Sequence, residues 1–445
     1  MENTWKRNVS IFLASQTLSL FGSSLVQYAI TWYITLNTKS GIMMTISIIC
    51  GFLPTFFLSP FTGVWADRYN RKMLIMLSDS LIAVSTLILA IVFLMGYDAF
   101  WMIFLVSAIR AVGSGIQTPA INAYLPQLVP EDKLQKVNAT NGTIQSMIML
   151  ISPMLSGALL NEAGITPIFF IDVITAALAV TILLLFLKVP YKKGVRDLQN
   201  VSYKEDMLMG LKYVRKHEFV REFFVFSGFF MFLAAPVAFL TPLQVARNFG
   251  EEVWRLTGIE ITFSIGMMAG GILMTQWEGF KNKIYTMTLA SVVMGICTFA
   301  FGFVNIFWIY LFLMGVFGFV MPFFNTVSTV MLQVNVEEEY LGRVFGVFGM
   351  ISSALMPLSM LIFGPLADTI ALEGILIATG LLLCLEGFML STRKALLRVG
   401  APKERMTEAA VEGAIEDEIE ELIEDREEGL REESEEGLKE EPKEV

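Results

Sequence analysis

Long apolar runs separated by short polar breaks repeat about a dozen times along the chain. The breaks fall at clusters of turn formers and charges and mark spans at 8–35, 41–65, 73–96, 100–124, 139–160, 165–187, 221–245, 257–277, 284–304, 306–330, 343–366 and 374–393. A helix rises 1.5 Å per residue, so about 20 residues cross a hydrocarbon layer of about 30 Å. Lipid offers backbone amides no partners, so each span is expected to satisfy its own hydrogen bonds as a helix. The pattern predicts an all-α integral membrane protein with twelve transmembrane helices.

One break is longer than the rest. Residues 188–220 are polar and basic and divide the chain six plus six. Within them Ser202 and Glu205 fit a capping box, and Tyr203, Met207, Leu211 and Val214 recur on one helical face. The expectation is an amphipathic helix lying on the inner membrane surface. Four parts follow: an N-terminal six-helix bundle at 1–190, a cytoplasmic linker at 191–220, a C-terminal six-helix bundle at 221–398 and a tail at 399–445.

The halves echo each other, the mark of an internal repeat. Gln127-Leu-Val-Pro-Glu131-Asp132 after the fourth span resembles Gln333-Val-Asn-Val-Glu337-Glu338 after the tenth, and Pro119-x-x-Asn122 resembles Pro322-x-x-Asn325. Two pseudo-symmetric bundles are therefore expected.

Composition agrees, with 55% hydrophobic residues and a mean hydropathy of +0.62, against about 45–50% apolar in soluble domains. The net charge of −10 is misleading, because residues 401–445 hold 19 of the 42 acidic and 6 of the 32 basic residues. The rest carries 26 basic against 23 acidic side chains, and no nucleic-acid partner is implied. The tail is too polar to bury a core and is read as a disordered, solvating segment. Cys50, Cys297 and Cys384 sit in apolar runs without metal or disulfide spacing and are read as packing residues.

Lys and Arg fix the expected orientation. With the N-terminus inside, the inner breaks hold Arg68, Arg71, Lys72, Lys133, Lys136, Lys281, Lys283 and Arg343, whereas the outer ones hold Lys39, Arg247 and Arg255. Both termini are assigned to the cytoplasm, in a multi-pass protein of the cell membrane.

The turn between spans two and three reads Gly63-x-x-x-Asp67-Arg68-x-x-Arg71-Lys72. With twelve spans, two similar halves and a basic central loop, it resembles the major facilitator superfamily. Asn70 stands where that family has glycine and is expected to take the left-handed turn. The motif implies an inner gate in which Asp67 accepts hydrogen bonds at a helix N-terminus while the basic residues face anionic lipid. Its copy in the second half has lost the aspartate, since Gly271 is followed by Thr275. Arg110-Ala-Val-Gly-Ser-Gly-Ile-Gln-Thr-Pro and the following Pro-Gln-Leu-Val-Pro-Glu-Asp-Lys-Leu resemble macrolide-efflux-type drug:proton antiporters over about 1–395. That resemblance implies a central cavity lined mainly by spans 1, 4, 7 and 10.

Independently of any family, a charge inside a span costs about 2.5–3.5 kcal/mol at a helix centre unless partnered. Asp79, Arg110, Asp172 and Glu386 stand out as proton-coupling candidates, with Arg110 about ten residues into its span. Gln16, Ser23 and Gln27 share one face of span one, and Arg110, Gly113 and Gln117 one face of span four. Phe232, Phe239, Phe324 and Asn325 complete the candidate lining of a substrate cavity. His217, the single histidine, is read as a solvated linker residue. No phosphate loop, zinc spacing or nucleophile elbow is present.

The expectation is a non-enzymatic, monomeric secondary exporter of amphipathic, drug-like solutes in exchange for protons, with no cofactor beyond the proton gradient. A lysophospholipid or siderophore transporter of the same fold, and a membrane sensor or scaffold acting through its acidic tail, are the alternatives.

Overall fold

The computed structural model describes residues 2–187, 203–277 and 279–401; most of the linker and nearly all of the acidic tail lie outside them. The described residues form fourteen helices and no strand: α1 (Glu2–Thr38), α2 (Gly41–Arg68), α3 (Arg71–Leu94), α4 (Phe100–Leu128), α5 (Glu131–Ala163), α6 (Thr166–Phe186), α7 (Tyr203–Lys216), α8 (Glu218–Asn248), α9 (Val253–Trp277), α10 (Lys283–Phe301), α11 (Phe307–Asn335), α12 (Glu338–Thr369), α13 (Leu372–Leu390) and α14 (Lys394–Gly400). All but α7 and α14 are long and apolar enough to cross a membrane.

Helix pairing reveals the repeat. In the N-terminal half α1 packs on α5 and α6, α2 on α4, and α3 on α4 and α6; in the other half α8 packs on α12 and α13, α9 on α11, and α10 on α11 and α13. Each pair in one half has its counterpart seven helices later. Between the halves, α2 meets α12 and α5 meets α9, again an exchanged pair.

These cross-half contacts are confined to one end. Near the α1–α2 turn, Gly41 and Gly364 let α2 and α12 touch backbone to backbone, and a Cβ on Gly41 would lie 2.1 Å from the Gly364 carbonyl oxygen. Thr45 Oγ1 donates to the Met360 carbonyl at 3.0 Å, and Gly157 of α5 lies against Thr257 of α9 and Trp32. Toward the α2–α3 turn the same helices part around a cleft of about 410 Å³ lined by Thr55 and Ser59 of α2 and by Gly346 and Ser353 of α12. The two bundles form a V, shut at the α1–α2 end.

The amphipathic helix expected in the linker is present as α7, and it docks against α12 and α8. Its buried face is Gly210, Tyr213 and Val214, while Leu211 is exposed. Tyr213 stacks between His217 and Tyr340, at 4.0 and 4.7 Å. Tyr213 thus draws the helix onto the bundle end by ring stacking, a partner choice that periodicity does not carry. His217 is part of that stack, a correction to its reading as solvated.

Candidate functional site

Every helix of the N-terminal half except α2 and α5 contributes a polar side chain to one buried layer. The layer forms because the polar positions repeat at helical spacing: Ser15, Gln16, Ser19 and Ser23 on α1, Asp79 and Thr86 on α3, Arg110 and Gln117 on α4, Asp172 on α6. Above and below it the core is apolar. One cluster holds Leu25, Ile30, Leu89, Ile103 and Phe169, the other Phe12, Ile75, Tyr124 and Leu183.

Arg110 is the hub. Its Nη1 pairs with Asp172 Oδ2 and donates to Thr86 Oγ1 at 2.6 Å, and its Nη2 donates to the Ser23 carbonyl at 3.2 Å. Ser23 Oγ donates to the other Asp172 oxygen at 3.3 Å. Gly22 makes this possible, because a Cβ there would lie 3.0 Å from the Asp172 Cα and closer still to Thr175 Oγ1. A buried guanidinium and carboxylate, each also hydrogen bonded to neighbours, form a charge-assisted unit, strong only while complete.

Asp79 is built differently. Its Oδ1 accepts from Ser19 Oγ and from Gln117 Nε2 at 2.7 Å, while Oδ2 is buried without a partner. Among the described residues no cation touches it, although Asp172 lies within electrostatic range. Gln16 Nε2 in the same layer is also buried and unpartnered. The layer therefore holds one satisfied ion pair and, beside it, a carboxylate with a vacant hydrogen-bonding position.

Of the four charges singled out by sequence, three thus converge and one does not. Glu386 sits on α13 in the other half, 6% exposed, where Ser291 of α10 faces it but neither carboxylate oxygen is hydrogen bonded. A fifth in-span charge, Glu260 on α9, escaped the sequence reading because it lies only a turn inside an expected span. It is partly buried and within electrostatic range of Tyr28 on α1, across the junction of the halves. Counting charges from the start of the apolar run, rather than from its centre, is the signal that finds it.

The cavity candidates scatter. Gln16 and Gln117 belong to the buried layer, Ser23 edges it and Gln27 is exposed. Phe239 meets Phe52 of α2 across the junction, with ring centres 6.0 Å apart, and Phe232 packs on Phe363 of α12. Phe324, expected on a cavity wall, is instead a core residue stacked on Phe230 at 3.7 Å, while Asn325 beside it is exposed. One helical position, about 100° of rotation, separates the two fates.

The Gly63–Lys72 turn bonds within its own half. Arg71 caps the end of α2 through the Ala66 carbonyl at 2.7 Å and reaches the Ala123 carbonyl of α4 at 2.7 Å. Lys72 Nζ donates to the Leu187 carbonyl at 2.7 Å, closing the end of α6, and Arg68 is exposed. The side chain of Asp67 lies outside the described residues. Asn70 is not left-handed: φ is −65° and its side chain accepts from Met73 N, so it caps α3. The capping bond accounts for an asparagine there as well as a turn would.

The opposite end carries a latch that the sequence reading missed. Asp368 of α12 accepts from the backbone N–H of Gly41 and Ile42 at 2.7 and 2.9 Å and from Ser40 Oγ at 2.7 Å. It thereby caps the α2 N-terminus from the other half. Arg247 of α8 holds Asp368 at 2.7 Å and the Lys39 carbonyl at 2.6 Å, and Lys39 pairs with Glu251.

Residues 12–360 match the Major Facilitator Superfamily. The chain is 30% identical over 387 residues to Macrolide efflux protein A of Streptococcus pyogenes, covering 86% of this chain and 95% of that one. It is 24% identical over 372 residues to the Staphyloferrin A transporter of Staphylococcus aureus, covering 80% and 89%. Its fold is shared with the crystal structure of a bacterial homologue of the iron transporter ferroportin in an inward-facing state, with a TM-score of 0.65 at 15% identity over 87% of this chain and 99% of that one. The twelve helices long enough to cross a membrane, their pairing repeated seven helices later and the family match together make this chain a multi-pass membrane transporter of the major facilitator superfamily and not an enzyme.

Proposed function

We propose that the protein exports amphipathic, drug-like solutes of the macrolide type in exchange for protons, by rocking its two bundles about their junction. The observation that carries the proton half of this reading is the buried layer of Arg110, Asp172 and Asp79. Two carboxylates and one guanidinium sum to one negative charge, and a single bound proton brings the layer to neutrality. A proton on Asp79 would also turn its unpartnered oxygen from an acceptor into a donor, at a residue that already joins α1, α3 and α4 by hydrogen bonds.

The V-shaped arrangement supports the alternating-access half. By the Lys and Arg bias, the open end is the cytoplasmic one, both termini are cytoplasmic, and the protein is a cell-membrane monomer. Closing that end brings the Gly63–Lys72 turn toward the second bundle, with Asp67 as the latch. Asp67→Asn is then expected to weaken the outward-facing state. Export of a macrolide is proposed from the relative named for macrolide efflux; the staphyloferrin relative supports a siderophore as the second reading. No cofactor is required beyond the proton gradient, since one charge crossing 100 mV supplies about 2.3 kcal/mol.

Purified protein in liposomes under an imposed pH gradient tests the reading. Gradient-driven flux of a macrolide is expected in the wild type and lost in Asp172→Asn and Asp79→Asn. Undiminished flux in both variants removes the layer from coupling, and flux of a siderophore but of no macrolide moves the substrate assignment to the second reading.

A further inference from the structure

Glu386 is the buried charge that the coupling layer leaves unused. It lies at the inner wall of a cavity of about 580 Å³ between α8 and α13, within the range of about 300–1,000 Å³ that takes a drug-sized ligand. The cavity is overwhelmingly apolar in its lining. Phe226 and Leu233 close its floor, each under 9% exposed. Its mouth is made of side chains on membrane-crossing helices that face away from the bundle, Phe229 at 60% and Leu385 at 54% exposed. Such apolar exposure in the middle of a spanning helix faces lipid, so the cavity opens sideways into the bilayer and not into the cleft between the bundles.

Two carboxylates and two guanidiniums line the cavity, and the carboxylates are the less exposed pair. Both oxygens of Glu386 and Oε2 of Glu222 are buried without hydrogen-bond partners, as is the hydroxyl of Ser291 facing Glu386. The cations stand at the rim: Arg221 and Arg393 are exposed at the helix ends, with Arg393 over the Phe226 ring at 5.7 Å. Arg393 stands past the end of α13, at the N-cap of α14, and neither oxygen of Glu386 is bonded to it. A buried carboxylate with neither oxygen hydrogen bonded, in a pocket whose nearby lining is apolar apart from the Ser291 hydroxyl, is complementary to a cation that brings its own apolar surface.

We propose that this groove binds lipophilic cations from the membrane, with a protonated amine or onium centre against Glu386 and the apolar body between Phe229, Leu385 and the floor. The site lies wholly within the C-terminal half and is separate from the Arg110 layer. It does not depend on the exporter reading, although an exporter of amphipathic amines would gain from it a point of entry from lipid.

The test measures binding, not transport, so failure of proton coupling leaves it untouched. The full chain in lipid nanodiscs is titrated with tetraphenylphosphonium and, in parallel, with neutral triphenylphosphine oxide. Saturable binding of the cation is expected, weakened by about tenfold or more in Glu386→Gln and less in Glu222→Gln, with the neutral compound bound weakly and equally by all three. Leu385→Trp, an exposed mouth position that tolerates a larger side chain, is expected to block the cation while leaving Glu386 in place, and serves if Glu386→Gln fails to fold. Cation affinity within about twofold of wild type in both Glu386→Gln and Leu385→Trp overturns the proposal. Phospholipid that copurifies and is lost in Arg221→Ala/Arg393→Ala, with cation binding indifferent to Glu386, overturns it in favour of a lipid occupant.

Discussion

The two halves share a pairing plan and differ in what they bury. In the C-terminal half one continuous cluster runs from Tyr213 and Phe223 through Phe324 and Phe301 to Leu396, with aromatic stacks such as Phe230 on Phe324 inside it. In the N-terminal half the apolar core is cut in two by the polar layer of Arg110, Asp172 and Asp79. One half packs largely apolar groups closely and the other interrupts that packing with charge, so the asymmetry lies in side chains, not in helix arrangement.

Breaking the charged layer is expected to have the largest effect. Arg110→Ala leaves Asp172 buried without its cation, a loss of about 3–5 kcal/mol, read as a drop in melting temperature in detergent together with loss of gradient-driven flux. The double change Arg110→Leu/Asp172→Leu is expected to recover much of that stability without recovering flux, since an apolar pair replaces a buried ion pair at little cost. Recovery of flux as well would make the layer structural only.

The C-terminal counterpart is Phe324→Ala, expected to cost about 3–5 kcal/mol as a core cavity while leaving the dependence of flux on the pH gradient unchanged. A changed proton dependence would erase the division between the halves.

Much of this was legible in the chain. Charges at 79, 110 and 172 inside apolar runs marked residues that need partners or a wet cavity, because an unpartnered charge is costly in lipid. Their convergence was not legible, since it depends on which face of α3 and α6 meets α4. Glu386 shows the limit: as an in-span carboxylate it resembles Asp172, yet neither of its oxygens is hydrogen bonded.

A smaller effect is expected at the latch between the halves. Asp368→Ala removes the cap on the α2 N-terminus, about 0.5–2 kcal/mol by the usual worth of such caps, and is expected to raise the population open at the α1–α2 end. Distances between spin labels placed on the α1–α2 and α8–α9 turns check it; unchanged distributions would show that the Gly41–Gly364 contact alone holds that end shut. The smallest effect is expected for Lys72→Met, which loses a cation at the end of α6, about 0.3–1 kcal/mol, seen as a slight melting shift confined to a residue that bonds only within its own half.

The sequence by itself determined the number of spans, the six-plus-six division and the presence of charges that need partners, because lipid imposes those terms on any single segment: twenty apolar residues, internal hydrogen bonds, no lone ion. Tertiary structure alone decided which charges are paired, that Asp368 and Arg247 close one end, that Tyr213 carries α7 onto the bundle, and that Phe324 is core while Asn325 is not. Those outcomes depend on how helices far apart in the chain are rotated and tilted against each other, and each turns on a fraction of a helical turn that no local pattern encodes.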